Sequence, residues 1–169
     1  PLPTRRHLSW VVLGDSISTG YGSSSGHSYV SLLWRNDGTW YPAFCARDLE
    51  SFFPDLQRLN LAQNGATTRD VLDHQLAAIP TGASQPTLAT LTIGGNELIH
   101  DYGASPPRDL AAYGCAGADC ESYSYSFQAR LAAIFDFLRD RSRFREPIDI
   151  YIADIYDPAT ETFSPTGRM

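Results

Sequence analysis

Ser16 stands on a tight polar turn, Gly14-Asp15-Ser16, directly after the apolar run Trp10-Val11-Val12-Leu13. A serine held at the end of a strand can attack a carbonyl carbon if a base takes its proton and fixed donors hold the oxyanion that forms. The same run-then-turn arrangement recurs twice. Leu59-Asn60-Leu61-Ala62 leads into Gln63-Asn64-Gly65, and Leu88-Ala89-Thr90-Leu91-Thr92-Ile93 leads into Gly94-Gly95-Asn96-Glu97. A parallel sheet would set all three turns along one edge, beyond the carboxyl ends of its strands, where open α/β sheets carry their sites. Together they would supply the Ser16 hydroxyl, the backbone N–H groups of Ser16 and Gly65, and the Asn96 side-chain amide. Singly, Gly65 reads as a turn residue with positive φ and Asn96 as a helix cap. Jointly with Ser16 they point to acyl transfer. Asp15 is too close to Ser16 to be its triad acid, and reads as a hydrogen-bonding residue that fixes the turn.

These blocks resemble the SGNH, or GDSL, family of serine hydrolases. Gly14-Asp15-Ser16 is similar to the first block, with Ser16 matching the nucleophile. The segment from Asn60 to Ala66 is similar to the second, with Gly65 matching the oxyanion glycine. Gly94-Gly95-Asn96-Glu97 is similar to the third, with Asn96 matching the oxyanion asparagine, although Glu97 stands where the family usually has Asp. The resemblance covers roughly residues 8 to 156, and TTRDVLDHQL with LATLTIGGNEL is closest in wording to secreted microbial lipases and esterases. It implies an ester hydrolase working through an acyl-Ser16 intermediate on a lipid or short acyl ester, with no metal or organic cofactor. Carbohydrate deacetylation by the same machinery, and a binding module that keeps the fold without turnover, are the alternatives.

The base is the gap. The family's last block, a carboxylate three residues before a histidine, has no counterpart between Asp157 and Met169. His7 precedes the first strand, and His74 lies two turns inside a helical pattern. His27, in a Gly/Ser-rich loop, and His100, four residues after Asn96, are the remaining candidates. The expectation is therefore that residues 1–169 form a single domain whose C-terminal part is missing. A further segment or second chain would carry Asp-x-x-His and dock against it. A sheet cut at this point would leave an edge strand and the apolar stripe of Tyr125 to Leu138 partly uncovered.

The elements that must position these residues alternate along the chain. Strand-like runs are Leu8 to Leu13, Leu56 to Ala62, Thr87 to Ile93 and Ile148 to Ile155. Helical patterns cover Pro42 to Phe53, Thr68 to Ile79 and Tyr125 to Arg141. The last carries Phe127, Leu131, Ile134, Phe135 and Leu138 at i, i+3, i+4, i+7 spacing. Strand–helix alternation predicts an α/β fold: a three-layer α/β/α sandwich around a parallel sheet, flavodoxin-like, with right-handed crossovers. Thr67 is the expected N-cap of the helix after Gly65. Two long irregular segments, Thr19 to Trp40 and Ile99 to Ser124, follow site-bearing turns. They are expected to wall a substrate cleft with Tyr21, Tyr29, Trp34, Trp40 and Tyr102.

Composition narrows the partners. The 169 residues carry a net charge of -6, and all 13 basic residues are arginine. No cationic stripe of the kind phosphate binding requires is present, which argues against nucleic acid. A phosphate-loop lysine or dinucleotide glycine pattern is also lacking after the first strand. No apolar run approaches the roughly 20 residues that span a bilayer. Cys115 and Cys120 are spaced for a small surface disulfide, which would contribute about 2 kcal/mol in the chain-entropy picture. Zinc would need about four ligands, and no histidine or further cysteine lies near in sequence. A disulfide implies an oxidising, extracellular compartment. Cys45 reads as a small buried hydrophobe.

Overall fold

The computed structural model describes residues 7–82, 84–99 and 118–153. Four strands, β1 (His7–Gly14), β2 (Asp55–Asn60), β3 (Thr87–Thr92) and β4 (Ile148–Ile152), form one parallel sheet in the order β2-β1-β3-β4. The chain thus runs from β1 outward to β2, then returns across β1 to add β3 on the other side. That reversal opens a crevice between the carboxyl ends of β1 and β3.

β1 reads as an uninterrupted apolar run because both of its faces are covered. Alternation sends Val11 and Leu13 to one side, and Trp10 and Val12 to the other. On the first side lie α4 and α6. α4 begins as an α-helix at Thr68–Asp70, widens to a π turn over Val71–Gln75 and tightens to a 3-10 turn at Leu76–Ala78. α6 spans Ala118–Arg139, starting earlier than the periodicity suggests. Val71, Leu76 and Ile79 meet Ile134 and Leu138 against Val11, Leu13, Ala89 and Leu91. The C-terminal part of the α6 stripe, Leu131, Ile134 and Leu138, is therefore packed. Replacing Ile134 or Leu138 by Ala would cost about 2–5 kcal/mol, the usual range for fully buried aliphatics.

The second side is covered over β1 and β2 by α2 (Tyr29–Trp34), whose Val30 packs on Trp10 and Val12, and by α3 (Leu49–Phe52). The helix expected over Pro42 to Phe53 is broken. Pro42–Phe44 forms a single 3-10 turn, and Ala46 adopts φ 56°, which no helix can include. The adjacent Thr19 to Trp40 segment is less irregular than its composition suggests, because Ser28 caps α2 by accepting from the Ser31 N–H at 3.1 Å. Cys45 is exposed, contrary to its reading as a core residue, since the broken segment leaves the sheet instead of packing on it.

Among the described residues, no element covers this second side over β3 and β4. A groove of about 530 Å³ runs down it from Ile17, Thr92 and Ala153 at the carboxyl end to Leu8, Leu49 and Leu88 at the other. Tyr151 and Ile152 of β4 are 66% and 45% exposed. Uncovered apolar surface thus lies on the face opposite α6 and also at the start of the α6 stripe, where Tyr125 is 65% exposed.

Candidate active site

The site is built outward from Gly14. Its φ is +117°, and a Cβ there would fall 2.0 Å from the Thr92 carbonyl oxygen, so only glycine lets β1 end this close to β3. The next residue exploits the proximity: the Asp15 N–H donates to Thr92 O at 3.0 Å. Fully buried Gln75 clasps the Gly14 peptide from below. Its Oε1 accepts from Gly14 N at 2.8 Å and its Nε2 donates to Gly14 O at 2.9 Å. The Gly14 carbonyl also accepts from Gln63 N at 3.0 Å, which ties the turn after β1 to the turn after β2.

Asp15 caps α1 (Ser16–Thr19), its Oδ1 accepting from Ile17 N at 3.0 Å. A hydroxyl chain converges on the same oxygen. The Thr92 hydroxyl donates to Asp15 Oδ1 at 2.8 Å, and Ser18 Oγ lies 2.7 Å from Thr92 Oγ1 and 2.6 Å from Tyr29 OH. A carboxylate only accepts and each hydroxyl has one hydrogen, so the order is fixed: Tyr29 donates to Ser18, Ser18 to Thr92, Thr92 to Asp15. Burial pushes the Tyr29 phenol above its ordinary pKa, keeping it a donor. Ser16, at the first position of α1, carries its half-buried side chain on a turn held from behind by this chain.

The turn after β2 approaches α1 directly. Thr19 Oγ1 lies 2.5 Å from Asn64 Oδ1, and Asn60 Nδ2 donates to Ser18 O at 3.3 Å. Gly65 takes φ +78°, and α4 follows under a capping box in which Thr67 N–H donates to Asp70 Oδ2 at 2.7 Å. Burial would raise the Asp70 carboxyl, but the Thr67 backbone and hydroxyl bonds outweigh it and hold the pKa low. From the turn after β3, α5 (Gly95–Ile99) presents Asn96, whose Nδ2 donates to Ala66 O at 2.9 Å. Among the described residues, the N–H groups of Ser16 and Gly65 donate to no protein acceptor. Ser16, Gly65 and Asn96 thus stand on three turns stitched together at one end of the sheet.

The described histidines lie elsewhere in the hydrogen-bond pattern. His7 is exposed, 3.5 Å from Asp55 at the amino end of β1. His74 is exposed on α4. The His27 Nδ1 donates to the Ser25 carbonyl of its own loop at 3.0 Å, and its buried Nε2, which makes no hydrogen bond among the described residues, is 3.3 Å from Asp37 Oδ2 beyond α2. His100 and the side chains of Cys115 and Cys120 lie outside the described residues, as does Tyr102. No cluster of three or more His, Cys, Asp or Glu side chains that could hold a metal occurs among the described residues. No helix among them is long and apolar enough to cross a membrane.

Gln75, Ser18 and Thr92 carry much of this architecture, yet the motif pattern does not mark them. Gln75 did leave a trace in the sequence. It occupies a core position between Val71 and Ile79, where a polar side chain must find buried partners.

A parallel sheet with a serine at its strand-order reversal, flanked by a glycine turn and a tethered asparagine, defines an α/β fold of the SGNH hydrolase type. The chain belongs to the GDSL-like lipase/acylhydrolase family, whose model matches residues 12–168. Among solved structures it is similar to a phospholipase A1 from Streptomyces albidoflavus, with 25% identity and a TM-score of 0.44. That match covers 85% of this chain and 58% of the other. An extracellular lipase from Streptomyces rimosus matches with 22% identity and a TM-score of 0.43, covering 95% of this chain and 68% of the other. An acetyl xylan esterase matches with 14% identity and a TM-score of 0.44, over 85% of this chain and 56% of its own. The chain thus spans less than two thirds of the phospholipase's length. No curated protein matches it.

Proposed function

We propose that this protein hydrolyses carboxylic esters through an acyl intermediate on Ser16. The observation that carries the reading is the meeting of three turns at one end of the sheet: they bring the Ser16 hydroxyl, two backbone N–H groups without acceptors among the described residues, and an amide fixed by Ala66. In this mechanism Ser16 Oγ attacks the ester carbonyl, and the N–H groups of Ser16 and Gly65 with the Asn96 amide hold the oxyanion. The tetrahedral species expels the alcohol, and water then releases the acid. Asp15 keeps the nucleophile's turn in place. Ile17 and Tyr21, 48% and 77% exposed beside Ser16, favour an acyl or lipid ester over a sugar ester.

The base comes from outside the described residues in this reading. A segment carrying Asp-x-x-His would dock beside the Ser16 turn and bring the base to it. The engagement of His27 Nδ1 within its own loop and the distance of His7 along β1 support this assignment. Cys115 and Cys120 form a disulfide, and the protein acts outside the cell.

Fluorophosphonate labelling with ester assays tests the function. Wild type should be labelled stoichiometrically, and Ser16→Ala should lose both labelling and turnover while its thermal midpoint holds. Sizeable residual kcat in Ser16→Ala would move the nucleophile elsewhere. A folded wild type that takes no label would be a binding module on this fold.

A further inference from the structure

Two adjacent side chains on α5 grip the segment that follows Gly65. Asn96 holds the Ala66 carbonyl, and Glu97 Oε1 accepts from the Thr68 N–H, at the first turn of α4. Glu97 is 7% exposed, and its Oε2 is buried with no hydrogen-bond partner among the described residues. Burying a carboxylate with one oxygen unpaired is costly, so its retention here calls for a compensating task. Thr68 is held from the other side as well: Arg130 Nε of α6 donates to Thr68 Oγ1 at 2.6 Å, and Thr68 is fully buried.

We infer that Glu97 and Arg130 are positioning residues that set the Gly65 N–H relative to the Asn96 amide. The inference rests on the oxyanion role proposed above for those two groups. Gly65 lies on the turn between β2 and α4 with φ +78°, and the Ala66 N–H closes that turn on the Gln63 carbonyl at 3.1 Å, so what holds Ala66 also bears on the Gly65 peptide. Clamping Ala66 from one side chain and Thr68 from the next fixes the peptide plane just upstream against the helix that carries Asn96. Arg130 adds α6 as the rigid backing. An aspartate at position 97 is one methylene shorter and would not reach Thr68 N with α5 in its present place. Reach, and not charge, is therefore what the glutamate contributes.

Glu97→Asp, Glu97→Ala, Glu97→Gln and Arg130→Met in the full-length protein test this, read by steady-state kinetics and by hydrogen exchange at the Thr68 amide. The Asp and Ala variants should lose roughly ten- to a hundred-fold in kcat, the scale of a small misplacement of catalytic groups, with KM little changed. Their Thr68 amide should exchange faster. Glutamine keeps the acceptor and should restore both readouts relative to alanine. Arg130→Met should show a weaker loss of the same kind. Unaltered kcat in Glu97→Asp, a loss confined to KM, or failure of glutamine to restore kcat would overturn the inference. Should Glu97→Ala not fold, Glu97→Asp and Arg130→Met decide the matter. If wild type cleaves no ester, the proposed function fails on its own, while unchanged Thr68 exchange in Glu97→Asp would still refute the clamp.

Discussion

Asn96 has two tasks that pull in one direction. One amide hydrogen is given to Ala66 O, and in the proposed mechanism the other serves the oxyanion, so the donor would arrive already oriented. Asn96→Ala should accordingly lower kcat by about two to three orders of magnitude with a smaller change in KM, measured on a soluble ester. An effect confined to KM would make Asn96 a substrate-binding group. The cysteines allow a separate check, because Cys45 is exposed and will react in the native state. Thiol titration without reductant should find one reactive group before and after unfolding. Three after unfolding would remove the Cys115–Cys120 disulfide and with it the main support for an extracellular location.

At the scale of elements, the junction of β1, β3 and α4 matters most. Gln75 lets α4 carry the nucleophile turn, since its side chain substitutes for the strand partners that Gly14 leaves behind at the sheet end. Gln75→Leu would fill similar volume yet strand a buried N–H, at a cost of about 1–3 kcal/mol. The Gly14 carbonyl keeps Gln63 as a donor, so the loss should fall mainly on the amide. Urea unfolding should show a lowered midpoint with unchanged slope, and kcat should fall with it. A variant as stable as wild type would mean that water replaces the side chain fully.

Across the whole molecule, among the described residues, one face of the sheet is covered along its length and the other only in part. α4 and α6 close the first, whereas the groove beside β4 leaves Tyr151 and Ile152 wet. Apolar surface of this kind destabilises at about 25 cal/mol per Å², which favours an occupant. If the docked segment supplies the base, denaturing mass analysis of active enzyme should find either a polypeptide longer than residues 1–169 or a second chain with Asp-x-x-His. A folded preparation of residues 1–169 alone that turns over ester would exclude it and return His100 to consideration.

The four strands and their parallel order were legible because each is a short apolar run ended by turn residues, a signal that depends on local pattern alone. The alignment of the Ser16, Gly65 and Asn96 turns along one edge followed from that order by topology. The breakage at Pro42–Phe44 was not legible, since apolar spacing there mimics a helix and nothing in that spacing marks the positive φ of Ala46. Cys45 was misread for the same reason: burial is a property of where a segment lies, not of the residue. The Tyr29–Ser18–Thr92–Asp15 chain and the Glu97–Thr68–Arg130 clamp join residues on different elements, far apart in sequence. Sequence determined which groups could do the chemistry. Only the tertiary structure decided what holds them, because hydrogen-bond partners are chosen by distance in space.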